Sequence, residues 1–471
     1  MNNEAKIIKK IVFSNVPIKV KSPLRISTGK DDGITDMLIL KDKYGQAFIP
    51  GTSIVGVLRN YISDIYGEKI ENIIFGNVNK NNENQSLIRI SDVKLNNVKI
   101  IHRDGVAIDD ITNVSKDKAK YDFEMIERGA EGLLNIEITV RKKFKDVDID
   151  EVAKTIAYIL DTGMNIGALT TKGYGKIQIK KKPTPFYIFD FSKDEDAWAW
   201  LEYLDGNINK VPVKYDDAKS NIISDFRMRI GLSLKNSMII ATTDFQEELS
   251  KKSNIKIRAV QLKSGEDYVI PGTSIKGVIR NRAINILRNL SNYKNEEKVV
   301  SFIDNLMGHG KKVDSEGNNK LLRSRLYVNE IYLKKNNFIS KKQPRIKIDS
   351  FTGGVFYGNL FGDEPIWQID RAKTMISINL RIKRCTELEA GLMLLILKDM
   401  WLGNLAIGGG KSIGRGVFCG NNCLINYRGN TFKIERENEN KIIVAGKDGK
   451  EDVKEILEKY VKALCGEFYE E

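Results

Sequence analysis

Two stretches of one chain, IPGTSIVGVLRN at 49–60 and IPGTSIKGVIRN at 270–281, repeat hydroxyls, glycine and arginine at one spacing. The residues after Pro-Gly, Thr52 and Ser53 or Thr273 and Ser274, suit a helix N-cap. Free backbone N–H groups at such a helix start, with the hydroxyls beside them, make a seat for phosphate. Gly56 and Gly277 fall one turn inside the helix, where glycine costs about 1 kcal/mol relative to alanine. A cost carried twice at the same place implies close approach by another backbone or a sugar–phosphate. Arg59 and Arg280 follow about one turn later on the same face, and Lys276 adds a charge where the first stretch has Val55. A helix packed tightly on a sheet is the alternative reading.

Two glycine-rich loops, GALTTKGYG at 167–175 and GGGKSIGRG at 408–416, let a ligand approach without Cβ interference. Gly173, Gly175, Gly408, Gly409 and Gly410 supply the room, and Lys172, Lys411 and Arg415 the charge. Neither loop suits a nucleoside triphosphate. A phosphate loop ending at Gly410-Lys411-Ser412 would need glycine at 405, which is Leu405, and both loops enter a strand rather than leave one. The two histidines, His102 and His309, are acid–base candidates, with loop surface or ring stacking on a ligand as the plainer reading. Cys419 and Cys423 make one CxxxC without a second pair, which favours reduced structural thiols over a metal site.

The elements that position these residues follow from the repetition. Ten of twelve positions agree between 49–60 and 270–281, an offset of 221. VAIDDIT (106–112) aligns with IKIDSFT (346–352) at 240, LLNIEITVR (133–141) with MISINLRIK (375–383) near it, and KGYGKIQI (172–179) with IGRGVFCG (413–420) at 241. Four blocks in one order, with a single length change in the polar segment 289–321, mark a duplication. Alternating runs (IVFSNVPIKV, FRMRIGLSL) predict a strand opening each copy. An apolar helix later in each (151–163, 387–403) precedes a last strand. The order β-α-β…β-α-β predicts an α+β, ferredoxin-like sheet with helices on one face. The predicted divisions are 1–182, an acidic and aromatic connector at 183–225 that caps the first domain, 226–427, and a tail at 428–471 whose amphipathic helix docks on its own domain.

Lys and Arg total 76 against 62 Asp and Glu among 471 residues, a net +14 that suits a polyanion. A hydrophobic content of 41% supports ordinary cores. No run nears the roughly 18 apolar residues of a membrane span, and the charged N-terminus lacks a signal-peptide core. A cytoplasmic protein without a membrane partner is expected.

IPGTSIKGVIR, the IDSFTGG…GNLFGDEPI segment (348–366) and GGGKSIGRG together resemble the signatures of the RAMP superfamily of CRISPR-associated proteins, more narrowly the repeated backbone subunits of type III effectors. The resemblance covers roughly 11–182 and 226–427. It implies two tandem modified RRM-like RAMP domains, each with a thumb hairpin (around 102–132 and 340–370) that kinks guide RNA paired with target RNA. It implies guide RNA, complementary target RNA and other type III effector subunits as partners. It also implies a catalytic acid upstream of the first IPG motif, at Asp36 in GITDMLILKDKYGQAFIPGTS, with Asp31 and Asp32 as neighbours and Asp42 belonging to a strand or turn. An Asp there would bind a divalent metal, magnesium, or help deprotonate the attacking 2′-hydroxyl. Counting back equally from Pro271 reaches Ile257-Arg258, so the second copy is expected not to cut, with Arg258 on phosphate. Tyr174, Phe351 and Tyr357 are stacking candidates. The alternatives are a silent RNA-binding scaffold, or a guide-precursor endoribonuclease using His102 or His309.

Overall fold

A computed structural model describes residues 3–27, 38–77, 84–108, 115–215, 225–242, 256–313, 319–436, 442–446 and 453–469. The chain divides into two compact units, Met1–Thr170 with Tyr174–Ile222, and Thr171–Gly173 with Ile223–Glu471. In the first, β1 (Ile7–Val20), β2 (Ile88–Ile90), β3 (Glu131–Arg141) and β4 (Lys176–Ile179) lie side by side as β2-β3-β1-β4, all antiparallel. Helices α1 (Gly51–Tyr66) and α2 (Glu68–Phe75) follow β1, and α3 (Ile149–Thr162) follows β3. The connector adds α4 (Asp194–Leu204).

The second unit repeats the plan. Strands β5 (Phe226–Leu234), β6 (Leu326–Val328), β7 (Ile376–Ile382) and β8 (Phe418–Tyr427) lie as β6-β7-β5-β8. Helices α5 (Gly272–Leu290) and α6 (Glu296–Met307) follow β5, α7 (Glu387–Leu402) follows β7, and α8 (Val453–Phe468) closes the chain. Both units are therefore ferredoxin-like, as the element order predicts.

Period-two alternation builds the cores. Along β5, Phe226, Met228 and Ile230 are buried while Arg227 and Arg229 are exposed. Ile54, Leu58 and Ile62 of α1, at four-residue spacing, enter the first core, and Ile275, Ile279 and Ala283 of α5 repeat them in the second.

A long hairpin leaves each sheet between its second and third core strands. The first pairs Ile100–Ile108 with Ser115–Ile126, and the second Gln343–Ile348 with Val355–Glu364. Arg103 faces Phe123 in the first and Gln343 faces Asp363 in the second, equivalent positions at the 240-residue offset.

The connector is part of the first unit. Tyr187–Asp190 pairs antiparallel with β1, Phe186 stacks on Phe13 at 5.0 Å between centroids, and Trp200 and Tyr203 of α4 pack on Phe189. That packing is why 183–215 is too apolar for a free linker.

The tail belongs to the second unit. Asn430–Arg436 extends the sheet beside β8, and α8 covers α7. A helix apolar on every side must be covered on more than one face, and α7, with Leu392, Met393, Ile396 and Met400 all buried, has the sheet on one side and α8 on another. Contact is closest at Gly391, where a Cβ would press into the Tyr460 carbonyl oxygen. The substitution Gly391→Leu should push α8 away and destabilise the second unit by about 1–3 kcal/mol despite the better helix former. A lower midpoint in urea unfolding, with early proteolysis between 437 and 453, checks it.

Candidate nucleic-acid interface

The caps of the paired helices lie at least two residues earlier than expected. Pro50 and Pro271 are the caps, neither helix has a side-chain cap bond, and Thr52, Ser53, Thr273 and Ser274 lie inside the first turn. In the first unit the Gly51 N–H donates to Asp92 Oδ1 at 2.8 Å, so a carboxylate already occupies part of the seat read as a phosphate site. Gly51 is glycine because a Cβ would strike the Ile90 carbonyl, and Gly272 because one would stand 2.9 Å from the Val328 carbonyl oxygen.

Gly56 and Gly277 are a different case. Both are exposed, and beyond the helix's own neighbouring backbone no atom lies within 4 Å of where their Cβ would stand. Nothing among the described residues requires glycine there, so the helical penalty of about 1 kcal/mol has no internal offset. Each unit thus carries a notch at the same turn of the same helix.

The arginines one turn on are braces. Arg59 forms an ion pair with Glu71 and reaches the Gly76 carbonyl at 3.4 Å. Arg280 pairs with Asp304 at 3.0 Å and the Gly308 carbonyl at 3.1 Å. Each ties its helix to the next one while remaining partly exposed. Lys276 points inward and donates to Ser324 Oγ at 2.6 Å and the Leu326 carbonyl at 2.9 Å. Burial above all, with the positive Lys172 and Arg280, pushes its pKa down to about 7.

The loop glycines serve chain closure. Gly175 and Gly416 both have φ +71°, and a Cβ on either would collide with the carbonyl of Ile166 or Ile407. Matching backbone bonds hold both loops: Ile166 and Ile407 donate to the Gly175 and Gly416 carbonyls, each at 2.9 Å. Gly173 is buried, Lys172 is half-buried, and Gly408 lies against the Ile239 carbonyl. Gly409, Gly410 and Lys411 are exposed, the part of the second loop open to a ligand.

Arg415 is also turned inward. It donates to Asp363 Oδ2 at 2.8 Å and Gln343 Oε1 at 2.6 Å, both at the root of the second hairpin, with Arg345 3.5 Å from the same carboxylate. Its counterpart at the 241-residue offset is Tyr174, buried against Phe123 and Met125 at the root of the first hairpin. One joint is thus built twice, from Tyr174 on Phe123 and from Arg415 on Asp363. The signal was present in the aligned repeats as two exchanges that go together.

Beyond that root the second hairpin is unusually apolar at its surface. The Asp349 carboxylate accepts from the Phe351 N–H at 2.7 Å, the Asp349 N–H donates to the Gly354 carbonyl, and the turn holds Phe351 outward, 97% exposed. Lys347 lies over the Phe356 ring at 5.0 Å. The side chain of Tyr357 and the tip of the first hairpin, 109–114, lie outside the described residues.

So does segment 28–37, with Asp31, Asp32 and Asp36. Asp42 is a turn residue: its carboxylate accepts from the Gln46 and Tyr44 N–H groups at 2.9 Å, foremost the Gln46 bond, which lowers its pKa. In the second unit Ile257 is buried and Arg258 is stacked 3.8 Å from the Phe361 ring centroid, both on strand Lys256–Gln261, which runs parallel to the hairpin strand Val355–Glu364. His102 is exposed on the first hairpin opposite Glu124, while His309 starts a short strand after α6, so the two occupy unlike elements. Cys423 faces the second core, where burial raises its pKa. Among the described residues no group of three His, Cys, Asp or Glu could hold a metal ion, and no helix is long and apolar enough to cross a membrane.

A family model described as the RAMP superfamily matches residues 17–178 and 198–419. No curated protein matches the chain. Among solved structures, a chain of "Cryo-EM structure of the Type III-B Cmr-beta bound to cognate target RNA" is similar at 20% identity and TM-score 0.30, over 39% of this chain and 61% of that one.

Two outcomes are expected from the geometry. Arg415→Ala leaves the half-enclosed Asp363 carboxylate with Arg345 alone and should cost about 3 kcal/mol. The double change Arg415→Tyr with Asp363→Phe should recover part of that loss, and a double-mutant cycle in urea reads it. Lys276 binds a proton more weakly folded than unfolded, so its contribution to stability rises with pH from about 7 toward its unfolded value. The stability of the native chain relative to Lys276→Met should therefore increase between pH 7 and pH 10.

Proposed function

Because one family model covers two tandem segments spanning most of its length, the chain belongs to the RAMP superfamily, and from that premise we propose that it is a guide-RNA-binding backbone subunit of a type III CRISPR effector. Its partners in this reading are guide RNA, complementary target RNA and the other subunits of the complex. The observation that carries the reading is the second hairpin. A stiff turn holds an exposed aromatic, Phe351, at the end of a ribbon carrying Arg345 and Lys347 and rooted by Arg415. A ring so held can wedge between or stack on bases, worth about 1–3 kcal/mol per base, while flanking cations meet phosphate.

The helix notches at Gly56 and Gly277 support close approach of a ribose–phosphate strand to each unit. Thr52, exposed in the first turn of α1, and Lys411, exposed on the second loop, are the polar groups we assign to that strand. Arg59, Arg280, Lys276 and Arg415 act through the fold, holding the helices and the hairpin that present the surface. Sequence choice rests with base pairing to the guide, since these contacts address backbone and shape.

Cleavage of the target is assigned to Asp36. Its carboxylate would take the proton from a 2′-hydroxyl, whose oxygen attacks the adjacent phosphorus while the P–O5′ bond breaks and water protonates the leaving oxygen. Asp36 would also be the residue to hold magnesium, which when bound would supply positive charge to the phosphate oxygens. In the second unit the corresponding segment is a strand, with a register shift between Ile257 and Ala259, in which Ile257 is buried and Arg258 lies on Phe361, which supports a single cutting site per chain. Asp36→Ala in the assembled complex should lower cleavage of guide-matched RNA by at least 10²-fold, the low end of general-base contributions, with target binding unchanged. Undiminished cleavage would assign the chain to the silent scaffold instead.

A further inference from the structure

The sheet faces opposite the helices have diverged between the units, and the second carries charge that its own fold does not use. In the first unit, Lys10 of β1 forms an ion pair with Glu137 of β3, donates to Thr139 at 2.9 Å and lies over the Trp200 ring of α4 at 5.4 Å. Val12, two residues on, is buried. Aligning the cross-strand pairs, Lys10 with Thr139 and Val12 with Glu137, on their counterparts in the second sheet puts Arg227 at the place of Lys10 and Arg229 at that of Val12. Glu137 becomes Asn379 and Thr139 becomes Arg381. A neutral, covered pair has been replaced by three arginines with no acid among those four positions.

Arg227 and Arg229 are exposed on the central strand and have no anionic partner among the described residues. Arg227 is paired in register with Arg381, and like charges directly opposite one another destabilise a sheet. Asp225 offsets only Arg381, at 2.8 Å. Lys433, across Leu424 from Arg229, adds a fourth cation and is matched by Glu435 at 2.9 Å. An arrangement that opposes folding, held on the middle strand of a solvent-facing sheet, is explained by an external anion.

We propose that the open face of the second sheet, centred on Arg227 and Arg229, is a further contact for the phosphates of a single RNA strand, separate from the helix notch and the hairpin. Two arginines two residues apart on a strand stand roughly 6.6–6.8 Å apart along it, close to the separation of neighbouring phosphates in a stretched single strand. Asn379, Leu424 and Asn426, the exposed neighbours on this face, carry no ring, and the half-buried Tyr327 is engaged at the rim by Arg381, 5.9 Å from its ring centroid, so around Arg227 and Arg229 the face offers charge for backbone rather than a ring for bases, and its binding is indifferent to sequence. The proposal rests on the RNA-binding reading of the chain.

The test is binding of labelled oligo(U) and oligo(A) to the full chain and to the double variant Arg227→Gln/Arg229→Gln across 50–200 mM salt. Two lost phosphate contacts on a single strand should flatten the log–log salt slope by about 1.4 and weaken binding at the lowest salt on the order of tenfold, alike for both oligomers. A control with equal charge loss on α8, Lys454→Gln/Lys462→Gln, should leave the slope unchanged. A slope identical to the native chain overturns the proposal, and if the double variant then drops out of a reconstituted complex the face belongs to a protein partner. A native chain that binds neither oligomer would defeat the RNA-binding reading itself. Native binding matched by the double variant removes only this face.

Discussion

Each hairpin reaches outward from its sheet on a two-stranded ribbon, and a ribbon of that kind has little stability of its own. What gives it a direction is the residue that the glycine-rich loop presses against its root. The loop can make that contact because Gly175 and Gly416 take a left-handed turn under the carbonyls of Ile166 and Ile407, where a side chain has no room. The preceding residue, Tyr174 or Arg415, is then delivered to the hairpin. The direction of each ribbon, and with it the place of Phe351 at the end of the second, descends from this closure.

The two units solve the same problem with different chemistry. In the first, aromatic and sulfur-bearing side chains around Tyr174 exclude water, with the Arg25 guanidinium 4.8 Å from the Phe123 ring. In the second, a bidentate reach from Arg415 to Asp363 and Gln343 supplies direction as well as attraction. An ion pair so enclosed adds little net stability over an apolar joint, but it fixes geometry. The unit with the polar joint carries the exposed aromatic Phe351 and the uncovered basic sheet face.

Much of this architecture was legible in the sequence because it is written twice. The duplication, the strand-opening alternation and the ferredoxin-like order follow from repeated blocks, the hairpins were implied by the family resemblance, and Asp42, read as part of a strand or turn, lies in a turn. What was not legible was the direction of individual side chains. Arg59, Arg280, Lys276 and Arg415 count as charge in composition, yet Glu71, Asp304, Ser324 and Asp363 claim them. Those partners lie 12, 24, 48 and 52 residues away, beyond what local spacing shows. Thr and Ser after Pro-Gly looked like caps because composition cannot say that the helix is capped two residues sooner, at the proline. The free glycines at 56 and 277 were the reverse case, since their cost was visible from the pattern and their openness is what the fold adds.

The paired exchange at the hairpin root has a consequence for how such a gene can change. Related stretches repeated within one chain can be exchanged by recombination, which copies part of one half over the other. Transfer of the second loop into the first half would bring Arg415's guanidinium against Phe123 and Met125, and the reverse transfer would set a phenol beside the Asp363 carboxylate. The first crossover buries a guanidinium among apolar groups and the second leaves Asp363 with Arg345 alone, so either product is destabilised. The joint therefore acts as a barrier to homogenisation, and lets the halves keep separate duties while sharing one ancestry.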